Sequence, residues 1–190
     1  ALFWAAKAAE TEGIIRLDNL HSSDRRYVRH LLRTLRQHFP DLLILGELFG
    51  DEKSILRTAN ANGLNLLLGT PWEHKFVPEL RGYLQYIPRM HDRLHFHLPV
   101  SSHDSGTVVE EFGSPLATPP RLIVSTLLGS GSTGIVQGIE FGAEKKIDFI
   151  GEPSGEPIEY APTGRSNFST IVRDINAVHA SDAIFKRAGN

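Results

Sequence analysis

The sequence has no cysteine, a single methionine and no excess of either charge among its 190 residues. Without cysteine, disulfide scaffolds, thiolate zinc sites and cysteine nucleophiles are excluded, and we expect a reducing, cytoplasmic location. Lysine and arginine number 20 against 22 aspartate and glutamate, which gives a net charge of −2. A chain this close to neutrality is a poor candidate for binding nucleic acid or an anionic membrane surface.

Long apolar runs are also missing. No stretch approaches the ~20 apolar residues that a membrane-spanning helix requires, and the first ten residues lack the features of a signal peptide. Their helix-prone composition suggests that the chain begins inside a larger protein. Hydrophobic residues make up 41% of the chain and charged residues 22%, so we expect most of it to fold rather than remain disordered.

Strand and helix patterns alternate along the chain. Five β-prone segments lie at residues 13–19, 42–48, 64–69, 93–104 and 133–142. Helical patterns lie at residues 1–10, 27–39, 51–60, 70–87, 118–127 and 169–187. This alternation predicts a parallel sheet with helices outside it, either a doubly wound open sheet or part of an eight-fold (β/α) barrel.

Several local features accompany this pattern. The unbroken apolar run at 42–48 predicts a strand that is buried on both faces. Ser22 or Ser23 is the expected cap of the second helix, and Thr70 and Pro71 resemble the start of the fourth. The segment 151–165, rich in proline and glycine, predicts a loop between the last strand and its helix.

Polar side chains follow three of the predicted strands. The first strand ends with Arg16 and Asp18, the second with Glu47, and the fourth with His103 and Asp104. In parallel α/β folds the functional groups gather at these C-terminal ends. Strand alternation places the two side chains of the first pair on one side, and an arginine beside a carboxylate favours the ionised form that a nucleophile needs.

The second and third carboxyl groups complete a possible catalytic set. Glu47 follows an apolar stretch, which suits a general acid because apolar surroundings favour the protonated form. Two carboxyl groups on neighbouring strand ends can approach within ~5 Å, the separation that retaining glycoside hydrolysis uses. A third carboxylate can oppose the positive charge that develops at the anomeric carbon. One acidic residue at a strand end is usually a cap or a surface ion pair, whereas three together indicate a site.

Four segments resemble motifs of the α-amylase superfamily of glycoside hydrolases. RLDNLHSS resembles its nucleophile strand, GELF its acid/base strand, SSHD the motif before its third catalytic aspartate, and GIVQGIEFG its last strand. Their order and spacing are those of barrel strands four, five, seven and eight. The residues of the first two motifs are most similar to those of glucanotransferase and debranching-type members. The resemblance implies a partial (β/α)8 barrel, in which residues 1–190 form the C-terminal portion and strands one to three are absent.

The same resemblance implies roles for individual residues. Asp18 would be the nucleophile, Glu47 the acid/base and Asp104 the stabiliser of the transition state. The substrate and the nucleophile would be held by three further side chains, those of Arg16, His21 and His103. The implied partner is an α-glucan oligosaccharide or polysaccharide, with no cofactor and no metal.

Two departures from the family pattern affect what this chain can do. Ile135, Val136 and Gln137 replace the usual Pro-x-x-Tyr stretch of the last strand. A barrel without three of its strands leaves two sheet edges and an apolar interior exposed. We therefore expect the chain to need the missing part or self-association, and to show little activity alone.

Other interpretations remain open at this point. A partial barrel that keeps the site residues could be a non-catalytic carbohydrate-binding or assembly module. His95, His97 and His103 with Asp104 could hold the metal of a metal-dependent barrel hydrolase. Residues 129–134 match G-x-G-x-x-G, which would bind a dinucleotide only if a helix began at Thr133. The sequence leaves hydrolysis against transglycosylation, and α-1,4 against α-1,6 linkage, undecided.

Overall fold

The computed structural model of the chain describes residues 1–90, 94–128, 132–146 and 166–186. Five strands form one sheet in chain order: β1 (Ile14–Leu17), β2 (Leu43–Gly46), β3 (Leu66–Leu68), β4 (His95–Pro99) and β5 (Ser132–Gly134). The pairs β1–β2, β2–β3 and β3–β4 are parallel. The helices are α1 (Leu2–Glu10), α2 (Arg25–His38), α3 (Glu52–Asn62), α4 (Val77–Met90), α5 (Val108–Phe112), α6 (Thr118–Leu127) and α7 (Ser169–Ser181).

The strand order distinguishes the two predicted architectures. A doubly wound sheet reverses its strand order at a switch point, whereas these five strands follow one another in sequence across the sheet. The fold is therefore the partial (β/α)8 barrel that the sequence predicts. The predicted loop at 151–165 lies outside the described residues. No helix in the described part of the chain is long and apolar enough to cross a membrane.

The chain divides into two compact units. The first comprises Ala1–Leu68 with Met90–His97, and the second comprises Gly69–Arg89 with Leu98–Asn190. The first unit holds β1 to β3 with α1 to α3, and its buried side chains include Val28, Leu32 and Leu35 of α2 and Ile44 of β2. These three helix residues lie at spacings of four and three, so they form one buried stripe.

The predicted burial of the second strand on both faces is wrong. Ile44 is fully buried, but its neighbour Leu43 is 41% exposed, and Ile14, the partner of Leu43 on β1, is 50% exposed. Side chains alternate between the two faces of a strand, so one face of this strand pair is covered and the other is partly open. Gly46 lies on the covered face, where a Cβ atom would meet Leu20 and Leu64 at 3.0 Å.

The start of α2 also differs from the prediction. Asp24, not a serine, is its cap, and its carboxylate accepts the backbone N–H groups of Arg26 and Tyr27 at 2.9 Å. The hydroxyls of Ser22 and Ser23 donate instead to the carbonyl oxygen of Asn19. The serines therefore stabilise the turn after β1, and the aspartate begins the helix.

Arg36 fastens the far end of α2 to the next two connections. Its guanidinium donates to the carbonyl oxygens of Leu42 and Gly63 and to Asn65 Oδ1. Asn65 Oδ1 also accepts the N–H of Ile44 at 2.8 Å. One side chain therefore joins the connection before β2 to the connection before β3, and burial lowers the pKa of Arg36 from its ordinary value.

The second unit has its own apolar core. Buried side chains from β4 onward pack together, namely Val100, Val108, Leu122, Ile139 and Ile175. A capping box opens α5, because the Thr107 hydroxyl accepts the N–H of Glu110 and the Glu110 carboxylate accepts the N–H of Thr107. The Val100 N–H donates to the Gly134 carbonyl oxygen at 3.0 Å, which places β5 beside β4.

Three predicted elements of the second unit need correction. Thr70 and Pro71 open only a short 3₁₀ turn, and α4 begins later, at Val77. The fifth strand ends at Gly134, and a 3₁₀ turn occupies Ile139–Phe141. The closing helix ends at Ser181 and is followed by a 3₁₀ turn at Ala183–Lys186.

Candidate active site

Arg16 joins two of the predicted catalytic carboxylates. Its Nη1 donates to Asp18 Oδ1 at 2.5 Å, and its Nη2 lies 3.2 Å from Glu47 Oε2. The two carboxylates are therefore held on the two arms of one guanidinium, the planar group that suits paired contacts to carboxylates. The sequence places these three residues at the ends of β1 and β2, and the structure brings them together there.

The parallel pairing of β1 and β2 produces this arrangement. Leu17 is opposite Gly46 in the register, and the ladder continues beyond both strands. The Glu47 N–H donates to the Leu17 carbonyl oxygen at 3.0 Å, and the Leu20 N–H donates to the Glu47 carbonyl oxygen at 2.9 Å. The backbones of the two strand ends are thereby fixed to each other, so their side chains meet at one edge of the sheet.

Asn19 supplies a contact that the sequence analysis did not predict. Its φ of 55° lies in the left-handed region, which asparagine tolerates better than most residues. In this conformation its N–H donates to Glu47 Oε2 at 2.9 Å. The asparagine two residues after β1 was the available signal, since this residue type is common at turns with positive φ.

The two carboxylates have different surroundings. The Asp18 side chain is 68% exposed, whereas that of Glu47 is 12% exposed and that of Arg16 is 29% exposed. Asp18 is thus accessible to a molecule arriving from solvent, while Glu47 is shielded behind the arginine and the Asn19 amide. One reachable carboxylate beside one sheltered carboxyl group is an arrangement that can divide nucleophilic and acid/base roles.

His21 lies near this cluster through the loops that follow the strands. Its ring packs against that of Phe49, with centroids 5.1 Å apart and the planes inclined by 46°. His21 is exposed, and Phe49 comes two residues after Glu47. The imidazole is therefore presented to solvent on the loops that carry the Arg16, Asp18 and Glu47 cluster.

His103 and Asp104 lie in the second unit. His103 Nε2 is 3.1 Å from Asp104 Oδ2, and both side chains are partly exposed. Ser102 and Ser105 form the turn that presents them: the Ser102 hydroxyl accepts the N–H groups of Asp104 and Ser105, and the Ser105 hydroxyl accepts that of Ser102. The predicted pair is thus built into a hydrogen-bonded turn directly after β4.

Lys146 is a further contact of this turn. Its Nζ donates to the carbonyl oxygen of Asp104 at 2.7 Å. The two residues are 42 positions apart, and nothing in the local pattern around the lysine signals the contact. The ammonium group places a positive charge beside the turn that carries His103 and Asp104.

The structure bears on the two cofactor alternatives. Thr133 lies within β5 and not at the start of a helix, so the dinucleotide interpretation lacks the element it requires. In the described ranges no group of three or more histidine, aspartate or glutamate side chains could hold a metal ion. His97 is half-buried on β4, and burial lowers its pKa from the ordinary value.

Comparison with solved structures shows the fold. The chain superposes on an α-amylase from Geobacillus thermoleovorans complexed with acarbose (TM-score 0.67, 14% identity), covering 98% of this chain and 45% of that one. It also superposes on a debranching enzyme from Nostoc punctiforme (TM-score 0.65, 14% identity), and the match covers 97% of this chain and 44% of that one. A third match, to a cyclomaltodextrinase (TM-score 0.61, 16% identity), covers 96% of this chain and 33% of that one.

These matches confirm the fold that the motif resemblance implies. The chain spans less than half the length of each of these structures. No family model and no curated protein matches the sequence.

Proposed function

We propose that the chain is part of a retaining enzyme that acts on α-glucans, as a glycosidase or a transglycosylase. The observation that supports this most directly is the Arg16 guanidinium, which contacts Asp18 and Glu47 at the ends of neighbouring parallel strands. A pair of carboxyl groups flanking one position is the requirement of glycoside hydrolysis. The fold similarity to α-amylase-family structures agrees with this chemistry.

Asp18 and Glu47 divide the reaction in this proposal. The protonated form of Glu47 gives a proton to the glycosidic oxygen while a carboxylate oxygen of Asp18 bonds to the anomeric carbon, and the leaving sugar departs with that proton. In the second step Glu47 takes a proton from the acceptor, whose oxygen bonds to the anomeric carbon and releases Asp18. Arg16 orients the attacking carboxylate, and the shielding of Glu47 keeps water from competing for its proton.

The motif resemblance also supports proposed roles for three further residues. Asp104 opposes the positive charge at the anomeric carbon in the transition state, and His103 and His21 contact sugar hydroxyls. The acceptor decides the outcome: water gives hydrolysis, and a sugar hydroxyl gives transfer.

We also propose that this chain alone has little activity. It spans 45% of the length of the Geobacillus α-amylase, and the face that carries Ile14 and Leu43 is half open. Exposed apolar faces of this kind usually meet another surface, so we expect the remaining barrel or a second copy to cover it. The same coverage favours the second candidate function, a carbohydrate-binding module without turnover.

Binding and turnover of the same chain separate these two functions. The probe for binding is acarbose, the ligand held by the Geobacillus α-amylase, titrated by calorimetry. Turnover is followed with a linear malto-oligosaccharide in a sensitive reducing-sugar assay. The variants are Glu47→Gln, Asp18→Asn and, as a control outside the site, Glu52→Gln on the exposed first turn of α3.

If the chain is an enzyme, it binds acarbose, and the unaltered chain and the Glu52→Gln control show weak turnover. The Glu47→Gln variant then has turnover at least about 100-fold lower. A binding module gives acarbose affinity without turnover in any variant. Absence of acarbose affinity from the folded chain contradicts both functions. Turnover that is equal in Glu47→Gln and in the unaltered chain contradicts the assigned roles.

A further inference from the structure

Helices α2 and α3 enclose a cavity of 190 Å³ within the first unit. The loops after β1 and β2 contribute Leu20, His21, Leu48 and Phe49 to its lining. The lining from α2 and α3 includes the polar and basic side chains of Arg25, Arg29, Ser54, Arg57 and Thr58. We call this the arginine cavity.

The positive charge around the cavity is local, because the whole chain carries a net charge of −2. Helix α2 reads RRYVRHLLRTLRQH and contains five arginines and no acidic residue. Among the described residues, the guanidinium groups of Arg25, Arg29 and Arg57 make no hydrogen bond or ion pair. Arg36 of the same helix, by contrast, is fully engaged by backbone oxygens and Asn65.

The position of these charges is unfavourable for the helix itself. The N-terminal turn of a helix carries the positive end of its dipole, so arginine is disfavoured there. Arg25 nevertheless begins α2, and Arg29 lies one turn later. The helix dipole does not account for their placement, and a negatively charged partner in the cavity would be a favourable neighbour for them.

The helix ends themselves do not supply this site. Asp24 already accepts the N–H groups of Arg26 and Tyr27, and Asp51 accepts that of Ser54. A ligand in the cavity would therefore be held by side chains, chiefly by the three guanidinium groups. Each presents a planar pair of donors that matches the oxygen spacing of phosphate.

We propose that the arginine cavity binds the phosphate group of a sugar phosphate. Its volume lies below the ~300–1,000 Å³ of ordinary small-molecule pockets, so it suits one phosphate with an adjoining ring rather than a nucleotide. The His21 and Phe49 rings form the wall nearest the Asp18 and Glu47 loops, and an aromatic wall suits the apolar face of a sugar. Inorganic phosphate shares the same anchoring chemistry. The proposal does not depend on a catalytic role for Asp18 or Glu47.

Calorimetric titration in physiological salt tests this binding with three probes: glucose 6-phosphate, inorganic phosphate and glucose. We expect saturable binding of both phosphates and none of glucose. Tighter binding of glucose 6-phosphate supports the sugar phosphate, and equal affinities assign the cavity to free phosphate. Absence of saturation by either phosphate up to roughly 10 mM overturns the proposal.

Variants then locate the binding. The double variant Arg25→Gln/Arg29→Gln should weaken phosphate binding at least tenfold. The double variant Arg26→Gln/Arg33→Gln is the matched control, because it removes two positive charges from the same helix outside the cavity lining, and its affinity should stay within twofold. Arg57→Gln on α3 should weaken binding independently of any change in α2. Equal affinity of the Arg25→Gln/Arg29→Gln variant and the control overturns the site, and thermal unfolding of each variant verifies that it is folded.

Discussion

Arg16 and Glu47 face each other across the ends of neighbouring strands, with Nη2 of the arginine 3.2 Å from Oε2 of the glutamate. The glutamate side chain is 12% exposed, so it has little access to water. The pair therefore contributes to the stability of the first unit as well as to the geometry of the candidate site.

We expect Arg16→Met to lower the free energy of unfolding by roughly 1–3 kcal/mol, because it leaves a shielded carboxylate without its cation. Urea denaturation measures the change. Glu47→Gln in the Arg16→Met background should restore part of the loss, since it removes the unpaired charge. Arg26→Met, at an exposed position, should change stability by less than about 0.5 kcal/mol. Equal losses from both arginine substitutions would refute the pairing.

Asn19 offers a test of backbone conformation at the site. Its side chain accepts the Ser22 hydroxyl at 2.7 Å, and both Asn19→Ala and Asn19→Gly remove that bond. They differ in that only glycine adopts a φ of 55° without cost. We therefore expect the alanine variant to be less stable by about 1 kcal/mol and to bind acarbose more weakly than the glycine variant. Identical behaviour of the two would show that the left-handed turn does not matter.

Arg36 should be the most sensitive arginine of α2. Its guanidinium donates to the carbonyl oxygens of Leu42 and Gly63 and to the side chain of Asn65, and Arg36→Met removes this donor from all three acceptors. We expect a loss of roughly 2–4 kcal/mol in the free energy of unfolding, measured by urea denaturation. Arg33→Met, on the exposed side of the same helix, should be nearly neutral.

The stability of the chain should depend on pH through His97. Burial lowers its pKa in the folded chain below the unfolded value near 6.5. Between these two values the unfolded chain binds more protons than the folded chain. The free energy of unfolding is therefore highest, as far as His97 is concerned, above pH 6.5 and falls as the pH decreases through the interval. Urea denaturation at a series of pH values should show this slope, and His97→Gln should reduce it. The control is His95→Gln, which replaces an exposed histidine of the same strand and should leave the slope unchanged.

The sequence predicts the C-terminal end of α2 and the alternation of strands and helices because short-range rules govern them. Pro40 stops the helical pattern, and the helix ends at His38. The same rules misplace the fifth strand, since the β-prone residues after Gly134 are followed by Gly138 and Gly142, both at positive φ. These glycines permit a tight turn that competes with strand extension, and the local apolar pattern does not register it.

The candidate site shows the same division. Strand alternation places Arg16 and Asp18 on one side, and the structure joins them. The Lys146 contact to Asp104 spans 42 residues, so no local pattern contains it. The basic character of α2 is equally hidden in the net charge, because acidic residues elsewhere in the chain offset its arginines.

The position of the Glu47 side chain depends on the absence of a Cβ atom at Gly46. The residue next to Glu47 carries no Cβ, and the methyl ends of Leu20 and Leu64 fill the space where one would lie. Filling that space with even one methyl group would push against Leu20, whose N–H holds the backbone of Glu47. Replacing Gly46 to stabilise β2 would therefore disturb the position of Glu47, and redesign of this strand should begin at another residue.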